Sequence, residues 1–242
     1  ISTVWAILVA AAFLVGGGVC FLSCRELGTV TIPPSRSKMG VVLKKPAVLL
    51  ATVVGFLLIG SAAAVEVAVV SVFGEEGAQA GLVLAIWAFG SIVGGLGLGG
   101  LAIGPWALAT RMAVVFIGIS LAGFILDFWW ISFALLIAGA GIAPALAVMF
   151  AIVSSSVKFS ETAEAYGWMG SGQLVGAALG SAIAGFAIDG FGSPGGFAAA
   201  AGFALVGVLV ATVFKKAHPD LRGKDPSPIP DTEPVRTITE QP

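Results

Sequence analysis

Along this chain apolar positions do not alternate with polar ones. They gather in runs of about 20 residues, separated by short breaks that hold nearly all of the charge. Seven runs can be read, at about 3–22, 47–73, 81–103, 107–126, 131–153, 166–188 and 196–214. At about 1.5 Å of rise per residue, each is long enough to cross the ~30 Å core of a bilayer as a helix. A membrane strand would instead alternate over about 10 residues. The pattern therefore predicts an all-α fold, a polytopic membrane protein of seven transmembrane helices.

Composition changes this picture only by strengthening it. Hydrophobic residues make up 58% of the 242-residue chain and charged residues 10%, against about 25% charged in soluble domains; the mean hydropathy is +1.05. Charge adds orientation. The twelve basic residues fall at Arg25, Arg36, Lys38, Lys44, Lys45, Arg111, Lys158, Lys215, Lys216, Arg222, Lys224 and Arg236, and a seven-span zigzag puts all of them on one side. Glu75, Glu76, Asp127 and Asp189 fall on the other. Basic residues near span ends are retained in the cytoplasm, so the C-terminus is expected to be cytoplasmic and the protein to be multi-pass in the cell's inner (cytoplasmic) membrane. The thinly spread basic residues are explained by topology and imply no nucleic-acid partner.

Several features are expected to carry little chemistry. Cys20 and Cys24 stand four apart without a histidine, a poor zinc set, so they read as small apolar residues and no metal or cofactor is expected. The segment 215–242, rich in proline and charge, is expected to be a disordered cytoplasmic tail. Ile1 follows no initiator methionine or basic leader and reads as a cut point within something longer.

Glycine is the informative residue inside the runs, with 34 copies. Helices in lipid associate by close backbone approach at small residues. Gly172, Gly176 and Gly180 form such a row in "GWMGSGQLVGAALGSAIAGFAIDGFG", and Gly90, Gly94 and Gly95 begin another in "GSIVGGLGLGGLAIGP". Pro144, in "AGAGIAPALAVMF", removes a backbone donor and can bend its helix.

The stretch "SETAEAYGWMGSGQLVGAALGSAIAGFAIDGFGSPGGF" resembles the penultimate span of the major facilitator superfamily. "GAGIAPALAVMFAIVSSSV" is similar to the span before it, and the basic loop from Ser23 to Pro46 to that family's central cytoplasmic loop. The resemblance implies that 1–22 is the last span of an N-terminal half, 23–46 the central loop, 47–214 the C-terminal six-helix bundle and 215–242 the tail. It further implies a secondary active transporter that moves a small solute by alternating access between two halves, its partners being that solute, the lipid bilayer and the missing N-terminal half. One departure is plain. The family signature G-x-x-x-D-R/K-x-G-R/K corresponds here to "GGLGLGGLAIGPWALATR", which keeps glycines and Arg111 but has no Asp.

Few polar groups stand within the runs, which suits an amphipathic or apolar solute, with proton-coupled efflux as one mode. Glu66, in "SAAAVEVAVV", is an intramembrane carboxylate with no basic residue between Lys45 and Arg111. It is the leading candidate for a proton- or substrate-binding group, against a role in helix packing. Gln173 is the second polar candidate for the substrate site, and Trp168 and Trp87 are candidates for aromatic cavity walls; for all three packing is the favoured competing reading. The alternative function is a seven-span receptor or membrane scaffold. An enzyme is not expected. Ser171 lies between glycines, but the sole histidine, His218, is in the tail, so no histidine base stands at membrane depth; Asp127 and Asp189 sit at span ends. A retinal protein needs a lysine within a span, and there is none.

Overall fold

A computed structural model of the chain describes residues 3–23, 39–74 and 78–231. Seven α-helices stand among them: α1 (Thr3–Leu22), α2 (Pro46–Phe73), α3 (Ala78–Leu98), α4 (Ala107–Ala122), α5 (Phe128–Ser156), α6 (Thr162–Phe191) and α7 (Ser193–Val213). Cys24, the basic residues at 25, 36 and 38, Glu75, Glu76 and Arg236 lie outside the described residues. Five helices, α2, α3, α5, α6 and α7, are long and apolar enough to cross a membrane. In α1 the described apolar stretch is Ile7–Leu22, and α4 spans Ala107–Ala122; both are shorter. The expected fourth run to 126 stops early because Gly123 and Phe124 turn back on the Ser120 and Leu121 carbonyls, and Trp130 Nε1 also donates to Leu121 O at 2.7 Å.

The chain divides into two compact units, 1–35 and 36–242. The first contains α1, a regular helix whose side chains from Ile7 to Ser23 are exposed. The second is the six-helix bundle α2–α7, and its helices pair by exchange between two triplets. The first helix of one triplet, α2, packs on α6 and α7 of the other; α5 correspondingly packs on α3 and α4. Contacts of α2 with α5 and of α4 with α7 join the two sets.

Two parallel seams rest on glycine. On α6, Gly172, Gly176 and Gly180 sit against Thr52, Phe56 and Gly60 of α2, and a Cβ at either of the last two would run into a backbone carbonyl. On α3, Gly90 and Gly94 sit likewise on the carbonyls of Leu136 and Ala140 of α5. Spacing of four keeps each row on one helix face, so backbones approach along two whole turns, as lipid-embedded helices require.

Local signals set the ends. Pro46 occupies the first turn of α2, where its missing N–H costs nothing. Asp127 caps α5 by accepting from the Trp129 and Trp130 amides. Gly192, with φ 68, makes the turn from α6 to α7.

The basic end of the bundle is tied across long sequence separations. Lys45 Nζ donates to Glu161 Oε2 at 2.7 Å and to Ser156 O at 3.2 Å. Gly40 N donates to Glu164 Oε1 at 2.6 Å. The tail also departs from expectation here. Residues 215–217 form a 3-10 turn, and the segment then crosses the bundle end as a strap. Leu221 N donates to Ile103 O; Ile229 N donates to Val157 O and Ile229 O accepts from Phe159 N. Asp231 accepts from Ser160 N and Oγ. His218 and Leu221 are 5% and 8% exposed. The strap docks because Ile103 in the turn between α3 and α4 and Val157 at the end of α5 offer carbonyls to its amides, while Pro219, Pro226, Pro228 and Pro230 limit the freedom lost on docking. Residues 232–242 lie outside the described residues.

Candidate functional site

A groove of about 560 Å³ opens between α2, α3 and α5, lined by Ala62, Trp87, Ser91, Ile92, Ile142 and Ala143 among others. Close backbone approach makes it: Gly139 of α5 abuts the Trp87 carbonyl and Cδ1, and Gly95 of α3 abuts the Ala143 side chain. Trp87 is 8% exposed, and its Nε1 has no hydrogen-bond partner among the described residues. Glu66 lies four residues beyond Ala62, one turn along the same face of α2. Its side chain is exposed, and among the described residues no cation pairs with it. It stands nearer the end of α2 away from the basic residues, about 10 Å short of Phe73.

Pro144 adjoins Ala143 inside α5. It has no N–H to give the Ala140 carbonyl, and that is the carbonyl on which Gly94 rests. The helix wall behind the groove thus combines a missing hydrogen bond with a side-chain-free contact.

The other two sequence candidates stand elsewhere. Gln173 wedges between α2 and α5 against Gly55 and Met149. Its Nε2 is buried without a partner among the described residues. Gly55 lies about 16 Å along α2 from Glu66. Trp168, one turn before Gln173, donates from Nε1 to Glu164 Oε1 at 3.3 Å, and so belongs to the hydrogen-bonded closure of the basic end. Of the four candidates, Trp87 lines the groove, Glu66 stands one turn beyond the Ala62 edge of it, and Gln173 and Trp168 lie apart from it.

Residues 109–239 match the family model of the Major Facilitator Superfamily. The chain belongs to that superfamily. It is therefore of the transporter kind and a multi-pass membrane protein. No curated protein and no solved structure matches it. In this major facilitator chain the stretch that departs from the family signature forms the end of α3, the turn at 99–106 and the start of α4. Arg111 is 8% exposed there; its Nη1 donates to Ala107 O at 2.9 Å, and its Nε has no partner among the described residues.

Sequence reasoning missed the groups that close the basic end. The hydrogen bond from Lys45 is the main cause that holds the Glu161 carboxyl below its ordinary range. Burial is the main cause that pushes the His218 imidazole down, and the Arg111 charge adds to it. His218 Nδ1 lies 2.7 Å from Pro219 O, so it carries the proton and Nε2 is left as an acceptor. Arg222 beside it holds the exposed Asp220 carboxyl down to about 2. A lysine before Pro46 and an acid opening α6 were visible as helix-end signals. Their pairing, 116 positions apart, was not.

Proposed function

We propose that this chain contributes the C-terminal side of a secondary transporter for a small amphipathic or apolar solute, facing an N-terminal bundle of the same protein across the groove. The observation that carries the reading is the lining of that groove, apolar walls with the indole of Trp87; Glu66, an exposed carboxylate with no ion-pair partner among the described residues, stands one turn beyond its Ala62 edge. Apolar walls favour a solute with few hydrogen bonds to satisfy. A carboxyl that meets apolar surroundings in one state and water in the other changes its proton affinity between them, so alternating access links solute movement to protons, with efflux driven by inward proton flow. Gln173 serves the α2–α6 seam in this reading, and Trp168 the closure of the basic end. The basic end faces the cytoplasm of a cell's inner membrane, by the distribution of positive charge.

The test uses full-length protein in proteoliposomes with a panel of apolar and amphipathic dyes. Glu66→Gln keeps the shape of the neutral acid, and is expected to retain solute exchange while losing accumulation driven by a pH gradient. Trp87→Ala should weaken solute affinity with the proton response intact. Gradient-driven accumulation by Glu66→Gln at the unchanged level would return Glu66 to helix packing.

A further inference from the structure

Away from the groove, at the basic end, a cavity of about 630 Å³ lies between the α3–α4 turn and the C-terminal strap. Gly104, Trp106, Thr110, Arg111 and Arg222 line it. Arg111 is more than nine-tenths buried, has no carboxylate within ion-pair reach among the described residues, and leaves its Nε unbonded. A buried guanidinium without a counter-charge is costly, and planar N–H forks of this kind match phosphate oxygens. Three further features converge on the same place. The cavity meets the N-terminus of the 16-residue helix α4, whose first-turn N–H groups and dipole favour an anion. Lys215 Nζ stands 3.9 Å over the Trp106 ring, putting a second cation beside a half-exposed indole. Arg222 closes the far wall, its guanidinium shared with Asp220 on the exposed side. Among the described residues no carboxylate lines the cavity, and Asp220 reaches it only through its ion pair with Arg222.

We infer that this cavity is an anion site: Arg111, flanked by Arg222 and Lys215, takes a phosphate-type oxyanion, either the head of an anionic phospholipid lying against Trp106 or a free phosphate. The strap supplies one wall, so binding there also fastens the strap to the α3–α4 turn. The inference is independent of the groove and of what the protein carries.

The experiment uses the full chain, purified in neutral detergent and exposed to equal amounts of phosphatidylglycerol and phosphatidylcholine. Native mass spectrometry reads the bound lipid. A parallel arm reads the thermal midpoint with inorganic phosphate against chloride at equal ionic strength. Preferential retention of phosphatidylglycerol is expected, falling about fivefold for each cation removed in Arg111→Gln, Lys215→Gln and Arg222→Gln. Retention that depends on Arg111 without a phosphate shift assigns the site to lipid, whereas a phosphate shift that depends on Arg111 without lipid preference assigns it to a soluble phosphate. The double variant Lys215→Gln/Arg222→Gln, at a half-buried and an exposed position, decides the matter should Arg111→Gln fail to give monodisperse protein. Equal retention of both lipids with no phosphate shift, or a preference that survives in Arg111→Gln and in the double variant, overturns the site.

Discussion

The α2/α6 and α3/α5 seams are built alike and finished differently. In each, a pair of glycines four apart on one helix rests on two carbonyls four apart on a parallel neighbour: Gly176 and Gly180 on Phe56 and Gly60, Gly90 and Gly94 on Leu136 and Ala140. The α2 carbonyls belong to a helix without an internal proline. In α5, Pro144 leaves Ala140 without its helical donor, at the contact with Gly94. The basic end repeats the contrast. An ion pair, Lys45 with Glu161, joins the starts of α2 and α6, whereas the α3–α4 turn at Ile103 and the end of α5 at Val157 are joined through backbone hydrogen bonds to the strap at Leu221 and Ile229. Close backbone packing therefore does not by itself decide how stiff a helix pair is. The donor missing at Pro144 and the closure at the helix ends separate a seam suited to stay shut from one suited to bend, and the groove opens beside the second.

The largest effect is expected where the two seams are the same. A leucine at Gly180 or at Gly94 must displace backbone rather than a yielding side chain, so the loss should exceed the about 1–3 kcal/mol of ordinary overpacking. Neither variant should elute as monodisperse protein in size-exclusion chromatography. A well-behaved Gly94→Leu beside a collapsed Gly180→Leu would show that the α3/α5 contact is the looser of the two.

Pro144→Ala tests the difference itself. It restores a donor to Ala140 and should stiffen α5, raising the thermal midpoint by about 2–4 °C for each kcal/mol gained and lowering turnover of solute. An unchanged midpoint together with unchanged turnover would remove the distinction between the seams.

Acid should loosen the two closures in order. His218 is pushed below the ordinary histidine value of 6.5 by burial, so its neutral form favours the docked strap. That contribution is complete above pH 6.5 and is lost as pH falls through the lowered folded value. Glu161 is held below 4.5 by Lys45; its contribution is complete above 4.5 and disappears at lower pH than the strap's. Hydrogen exchange should accelerate first at residues 157–159 and 221–229 and only later at 40–45. His218→Asn should abolish the first step, and simultaneous loosening of both segments would contradict the separate closures.

The smallest effect belongs to glycines that neither seam uses. Nothing lies within 4 Å of a Cβ at Gly97 of α3 or Gly185 of α6. Alanine at either position should move stability by no more than about 0.5 kcal/mol, measured by the same thermal shift; a large loss would mean that the glycine rows were assigned to the wrong faces.

Much of this architecture was legible from local pattern. Seven apolar runs gave helices in nearly the places observed, because hydropathy and helix length act residue by residue along the chain. The GxxxG spacing at 172–180 marked a contact face, and Asp127 marked a span end. The partners were not legible. Helices apolar on nearly every side carry no stripe to show which face is buried, so nothing in the sequence said that Gly94 meets the carbonyl left unpaired by Pro144, or that Trp87 shares a groove with Ala62 of α2 while Gln173 of α6 meets α2 well away from it, at Gly55. The tail was misread for a related reason. Its composition describes a chain that cannot build a core alone, but Leu221 and Ile229 need only the carbonyls of Ile103 in the α3–α4 turn and of Val157 at the end of α5. The sequence by itself determined which segments are helices and which end of the bundle is basic; the tertiary structure alone decided which surfaces meet, because packing joins residues that no local periodicity relates.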